Sequence, residues 1–389
     1  MPPSPKSIAQ WSQMVEQHVP CLSRPQAQVL ALWSYAAQVL QSCGQSQVAC
    51  FLAQMLGQKE DTLRQRLREW TWEAAAKSGP HRQATEVQPC FSCLLVWVLS
   101  VWAPQERRLA LALDASTLGQ RFVVLAVSVL YRGCAIPVAW RILPASQPGT
   151  WRPHWEALLG QVQAGVPSGW CVLVLADRGL FAHWLFKGIQ RLGWHPFLRI
   201  NTGGKCLPAG EQVYRPLLDM LRPAGQVGCG RVVCFKLHPL PATLLTYADG
   251  LHQSAWLILT DLEPDAADIT WYSLRAWIEA QFKDIKSGGW QWQRTRMTDP
   301  ERAQRLWLVL AVALLGSLSL GDQAESQQPA SMLAELPATH IARRTASGCP
   351  KPRRLSLVTR GHLVALAALI RGLALSIPSL SGADPWSLT

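Results

Sequence analysis

The spacing of apolar residues divides the chain into a helical start, a strand-rich middle and a helical return. Over residues 1–75 the apolar positions recur at helical intervals and predict three short helices at 25–40, 45–56 and 61–72. Gly57 is placed to close the second, and Asp61 or Thr62 to cap the third. The third carries Arg64, Arg66 and Arg68, with Leu63 and Leu67 turned inward at i, i+4. Such a unit could enter a DNA groove, as helix-turn-helix modules do, or be a small bundle with a solvated basic face; the pattern allows both. A polar, Pro- and Gly-containing linker at 74–89 leads to an apolar segment over 91–102.

Period-two and fully apolar runs then take over. Residues 108–114 alternate and end in an acid; 121–131 is a long β-branched run, and 135–143 follows after a turn at Gly133. Three strands with short turns predict an antiparallel meander. A helix over 155–163 precedes WCVLVLA at 170–176, whose apolar residues face both ways and suit the buried middle of a sheet. A helix over 181–192 and a strand over 196–200 follow. Between 201 and 264, glycines punctuate short β-like pieces at 232–237, 242–247 and 255–260, which predicts a β-rich insertion. Beyond it come a helix over 272–286 (YSLRAWIEAQFKDIK), entered through Thr270, an apolar helix over 301–315, and a last one over 363–376. Residues 321–355 lack periodicity and hold the basic cluster Arg343, Arg344, Lys351, Arg353 and Arg354, either a tracker of phosphates or a solvated loop.

The helix over 272–286 has an uneven charge pattern. At about 100° per residue, with Tyr272 at 0°, Arg275 falls at about 300°, Glu279 at about 340°, Lys283 at about 20° and Lys286 at about 320°. One carboxylate is framed by a phenol and three cations. Surface ion pairs stabilise little. The segment reads either as a solvated amphipathic helix or as an acid that holds a metal among cations that hold phosphates, and the second makes more sense of the framing.

Composition sharpens this. The chain has 389 residues, enough for two or three domains, and an apolar fraction of 49%, which excludes a disordered chain. A net charge of +12, carried mostly by arginine, suggests a polyanion partner, DNA or an anionic membrane surface. Three apolar runs, 93–103, 306–320 and 363–377, are shorter than the roughly 20 residues a membrane span needs; buried core is expected, and no membrane partner. Eleven cysteines, irregularly spaced and preceded by no apolar leader in MPPSPKSIAQW, point inside the cell, to the cytoplasm. Cys90 and Cys93 form the single CxxC, readable as structural zinc or as buried free thiols.

Three acids stand out. Asp114 ends the first strand, Asp177 ends the central apolar strand, and Glu279 lies on the helix. Hard oxygen donors from separate elements are what two divalent cations require to promote displacement at phosphorus. Taken singly, an Asp after a strand is more often a turn or a cap.

The segments LALDAST around Asp114, VLADRGLF around Asp177, and Tyr272-x2-Arg275-x3-Glu279-x6-Lys286 together resemble the DDE transposases of the insertion-sequence-four family. The likeness covers residues 105 to 315 and includes that family's Y-R-E-K spacing. It implies a mixed α/β (α+β) fold: a ribonuclease H-like core of mixed sheet flanked by helices. The long interval between Asp177 and Glu279 is then explained by a β-rich insertion. The expected organisation is a helical candidate DNA-binding domain at 1–78, catalytic core at 79–200 and 265–320, the insertion at 201–264, a basic loop at 321–355 and a C-terminal helix and tail at 356–389. The resemblance implies that Asp114, Asp177 and Glu279 are catalytic and bind two Mg²⁺ ions, with Mn²⁺ able to substitute. It implies that Tyr272, Arg275, Lys283, Lys286, Arg178 and Trp277 contact DNA, with Trp277, Trp256 and Trp290 as candidates to stack on a flipped base. The implied activity is cleavage of transposon ends and joining of the 3′-OH to target DNA, through a hairpin intermediate and a homodimeric DNA complex, with no small-molecule substrate. A metal-dependent nuclease that does not join strands, or a catalytically silent DNA-binding derivative, are the alternatives.

Overall fold

The computed structural model describes residues 5–79, 82–102, 107–147, 149–249, 254–327, 355–373 and 380. Its centre is one ten-stranded sheet in the order β3-β2-β1-β4-β5-β10-β9-β8-β6-β7. The meander is β1 (Arg108–Leu118), β2 (Phe122–Tyr131) and β3 (Cys134–Pro144). β4 (Cys171–Ala176) and β5 (His195–Arg199) run parallel to β1, while β2 runs against its neighbours. That 3-2-1-4-5 arrangement is the ribonuclease H-like core. All ten residues of β2 and the last five of β4 are buried, as strands covered on both faces must be.

The β-rich stretch supplies β6 (Lys205–Pro208), β7 (Arg215–Pro216), β8 (Val227–Cys234), β9 (Leu240–Tyr247) and β10 (Trp256–Thr260). It continues the core sheet. β10, buried throughout, pairs antiparallel with β5 through Ile258↔Arg199, Leu259↔Leu198 and Thr260↔Phe197. This pairing covers the β5 edge and removes an open template for aggregation.

The N-terminal region holds four helices: α1 (Pro5–His18), α2 (Arg24–Leu40), α3 (Gln45–Leu56) and α4 (Glu60–Trp70). Gly57 closes α3 in the left-handed conformation, as expected, and Leu63 and Leu67 are buried. Neither Asp61 nor Thr62 caps α4; Lys59 stands at that position. Arg64 pairs with Asp61 at 2.6 Å, and Arg68 lies over the Trp72 ring. α2 packs on a long helix of the core, and Trp70 Nε1 donates to Arg305 O, so these helices share one hydrophobic core with the sheet.

The segment after the linker is α5 (Pro89–Ser100); α6 (Arg152–Gln163) and α7 (His183–Arg191) follow the expected pattern. The helix expected over 272–286 is instead two pieces: a 3-10 stretch, Ile269–Ala276, then α8 (Trp277–Ile285). The Asp268 side chain accepts from Thr270 N and starts the 3-10 winding there. At three residues per turn, Tyr272 and Arg275 fall in line with each other, which the 100° projection misplaces.

α9 (Pro300–Ser326) is longer than expected. Its proline opens it and the Asp299 side chain accepts from Glu301 N and Arg302 N. At 27 residues it is long and apolar enough to cross a membrane, but its apolar window is wholly buried in the protein, the position of a core helix. It packs on α2, β3 and α10 (Leu357–Ile370). α10 begins earlier than the apolar run suggested, because the Ser356 side chain caps Thr359 N, and Gly372 at φ +66 follows its end. The basic cluster Arg343, Arg344, Lys351, Arg353 and Arg354 lies outside the described residues.

Candidate active site

In the β1–β4 ladder Leu113 pairs with Ala176, so Asp114 and Asp177 are the next residues on two adjacent parallel strands, whose axes lie roughly 4.8 Å apart. Parallel pairing therefore brings two carboxylates side by side where β4 ends; Asp177 follows its strand as expected, whereas Asp114 lies within β1, which runs on to Leu118 in register with β2 rather than ending at the acid. Glu279 comes from the first turn of α8, which packs across β1, β2 and β3.

Arg275 joins the acids. Its Nη2 is 2.9 Å from Asp114 Oδ2, and its Nη1 is 2.5 Å from Glu279 Oε1. Asp177 Oδ1 accepts from Arg178 N at 2.7 Å and from the Tyr272 hydroxyl at 3.1 Å, with Arg199 Nη1 at 3.7 Å. Lys286 Nζ donates to Ser116 Oγ at 2.6 Å and to Thr117 O at 2.7 Å, which fixes it beside Asp114. The Tyr272 ring lies edge-on to Trp256 at 5.0 Å, so its hydroxyl is aimed by packing.

The two aspartates are held differently. Burial pushes Asp114 above the usual carboxylate range; Arg275 and the Ala115 N–H oppose this, and Glu279 and Asp177 add to it. Burial also pushes Asp177 up, but the Arg178 N–H, Arg275, the Tyr272 hydroxyl and Arg199 more than offset it, and its carboxyl lies below that range. Burial, with the Asp177 charge beside it, raises Tyr272 well above the usual phenol range, so the hydroxyl stays protonated and donates its hydrogen bond to Asp177. Burial lowers Lys286, against the pull of Asp114.

Of the residues expected to touch DNA, Arg178 and Lys283 are exposed beside the acids. Tyr272, Arg275 and Lys286 are engaged with Asp177, with Asp114 and Glu279, and with β1, respectively. Trp277, Trp256 and Trp290 are all buried, and Trp290 Nε1 donates to Ala37 O. None of the three offers a ring face to a flipped base in this structure, because core packing takes those faces. Two residues escaped the sequence reading. Arg199 ends β5 next to Asp177, and Ser116 holds Lys286. The strand order alone signals Arg199, since β5 neighbours β4.

Among the described residues, no three His, Cys, Asp or Glu side chains converge tightly enough to grip an ion as they stand, and the Cys90–Cys93 pair is made of free thiols. The donor chemistry of the acids still fits a hard divalent cation. One guanidinium binds Asp114 and Glu279 and lies within the field of Asp177, so three carboxylates already share a single cationic centre.

A basic cavity lies beyond Lys286, whose backbone O accepts from the N–H of Gln291 on the cavity wall. Arg121 Nη1 donates to Thr295 O and Met297 O, and its Nη2 to Gln293 O, pinning a loop from below and leaving Arg294 and Arg296 exposed. With Arg302 and the first turn of α3 they line a cavity of about 610 Å³.

Residues 152–315 match the family model of the transposase DDE domain, a stretch that includes Asp177 and Glu279 and starts after Asp114. No curated protein matches the chain. Among solved structures it is similar to the piggyBac transposase in a synaptic complex with hairpin DNA, at a TM-score of 0.37 and 12% identity over 94% of this chain and 82% of that one.

Proposed function

We propose that the chain is a DDE transposase of the insertion-sequence-four type, which cuts DNA at the ends of its element and joins the 3′-OH to target DNA. The observation that carries this is the meeting of Asp114, Asp177 and Glu279 around Arg275, where the central strand β4 of a ribonuclease H-like sheet ends. The match of residues 152–315 to a transposase DDE domain supports it. Asp114, Asp177 and Glu279 would hold Mg²⁺ or Mn²⁺, and when bound the metal would supply activation of the attacking oxygen and charge stabilisation of the leaving one.

The chain's own residues do the rest. The Tyr272 hydroxyl and the Arg178 N–H orient Asp177 and keep it ionised. Arg275 neutralises Asp114 and Glu279 until other cations take them, and it is then free for a phosphate. Exposed Arg178 and Lys283, with Lys286 alongside, would line the path of the cleaved strand, and Arg294, Arg296 and Arg302 would extend it. Opening of the second strand through a hairpin and action as a homodimer on paired ends belong to the same reading, as does a place with DNA in the cytoplasm.

The test is cleavage and strand transfer on duplexes bearing the sequences that flank the gene, with Mg²⁺, by the wild type and by Asp114→Asn, Asp177→Asn and Glu279→Gln. Loss of both activities by at least about 10³-fold in each variant is expected. Undiminished activity in any one variant removes that acid from the site. Activity in a metal chelator refutes the mechanism, and cutting without joining identifies a nuclease.

A further inference from the structure

Outside the acid site, three cysteines from two separate segments meet. Cys21 lies in the turn between α1 and α2, while Cys90 and Cys93 lie one turn apart on α5. Cys21 Sγ is 3.4 Å from Cys90 Sγ and 3.7 Å from Cys93 Sγ. All three are free thiols.

Their environments differ in a way that assigns roles. Cys21 is exposed and opens onto a shallow cavity shared with Gln26, Gln83 and Glu86. Cys90 is fully buried, and its thiol also reaches Glu86 O at 3.5 Å. Cys93 is half-buried and donates to Pro89 O. Hydrogen bonding from Cys90, the larger effect, and from Cys93 outweighs burial and holds the Cys21 thiol down to about 6, which favours the reactive thiolate. The hydrogen bond with Cys21, the larger effect, and burial push the Cys90 thiol up. An accessible sulfur with a second sulfur in contact is the arrangement of an oxidisable site. Cys206 and Cys234 also face each other, across β6 and β8, but both are fully buried and out of an oxidant's reach.

We propose that Cys21 is a hydroperoxide-reactive modification site that is resolved by Cys90 into a disulfide. In the first step the Cys21 thiolate attacks the distal peroxide oxygen. The O–O bond breaks, an S–O bond forms, and the departing alkoxide or hydroxide takes a proton from water. The peroxide is reduced and Cys21 becomes a sulfenic acid. In the second step Cys90 sulfur attacks Cys21 sulfur, the S–O bond breaks, and the Cys90 proton leaves with the hydroxyl as water. The bond ties the α1–α2 turn to α5, which packs on β3 and α6, and so fastens the N-terminal helices to the sheet. The inference is independent of the transposase reading.

The test treats the full chain with one to a few equivalents of hydrogen peroxide at pH 7, alkylates the remaining thiols, and maps unreduced peptides by mass spectrometry. A Cys21–Cys90 linked peptide is expected in the wild type and in Cys93→Ser, reversed by dithiothreitol, and absent in Cys21→Ser, whose exposed position leaves the fold intact. The oxidised wild type melts several degrees higher than the reduced, and Cys21→Ser shows no such shift. Absence of any Cys21 disulfide, a Cys21–Cys93 bond in its place, or a melting shift that persists in Cys21→Ser overturns the proposal.

Discussion

Replacing Arg275 by methionine keeps the side chain's length and removes its charge. The Glu279 partner is 63% exposed, so that pair contributes only a fraction of a kcal/mol. Asp114 is different: its side chain is 18% exposed and that of Arg275 14%, and without the guanidinium the carboxylate keeps only the Ala115 N–H and the more distant Lys286. Removing one partner of a fully buried pair costs about 3–5 kcal/mol; with partial exposure, about 2–3 kcal/mol is expected at pH 7.5. The sign with pH follows from Asp114. Its folded carboxyl already lies above the unfolded value of 3.8, and losing Arg275 raises it further. The folded state then binds the extra proton as pH falls, so the deficit of Arg275→Met shrinks toward pH 5. Urea unfolding at pH 7.5 and 5.5 measures both quantities, and the double variant Asp114→Asn, Arg275→Met should lose less than the two single changes summed. Millimolar Mg²⁺ should restore part of the loss in Arg275→Met and none in the double variant. A deficit under about 0.5 kcal/mol at pH 7.5, or one that grows on acidification, refutes the view of Arg275 as the cation that holds the acids together.

Other consequences are open to direct measurement. Arg294→Ala with Arg296→Ala should weaken duplex binding and reduce the slope of log K against log salt by about 2, leaving the fold unchanged by circular dichroism; an unchanged slope removes the loop from the DNA path. His195 Nδ1 lies 3.0 Å from Asp261 Oδ1, and hydrogen bonding to Asp261, then to Cys171, raises its folded value from 6.5 to about 10. The stabilisation is therefore full below pH 6.5 and lost as pH rises to 10. With both groups partly exposed, His195→Gln should cost on the order of 1 kcal/mol at pH 6 and almost nothing at pH 10, by denaturation at the two values. Gly321 and Gly361 let α9 and α10 touch backbone to backbone: a Cβ on Gly361 would fall 1.6 Å from Ser317 O. Gly361→Ala should cost about 3 kcal/mol or more and expose α10 to limited proteolysis; wild-type protection would contradict that crossing.

Much of the architecture could be read from periodicity, because each element carries its own pattern. The apolar run of β4, the meander of β1 to β3 and the spacing Tyr272-x2-Arg275-x3-Glu279-x6-Lys286 are local facts, written in neighbouring residues. What could not be read arises between elements. That Asp114 and Asp177 sit side by side depends on parallel register across a crossover, and that Arg199 joins them depends on β5 lying next to β4. The 3-10 winding before α8 turns Tyr272 toward Asp177 and Arg275 toward Asp114, which a single helical projection cannot show. The burial of Trp277, Trp256 and Trp290 follows from packing, not from their positions along the chain. The sequence by itself determined most of the helices and strands and the acids fit for phosphoryl chemistry, since these follow from residue type and interval. Only the tertiary structure decided which cation each acid meets and which thiols touch, because those contacts join residues that chain spacing leaves independent.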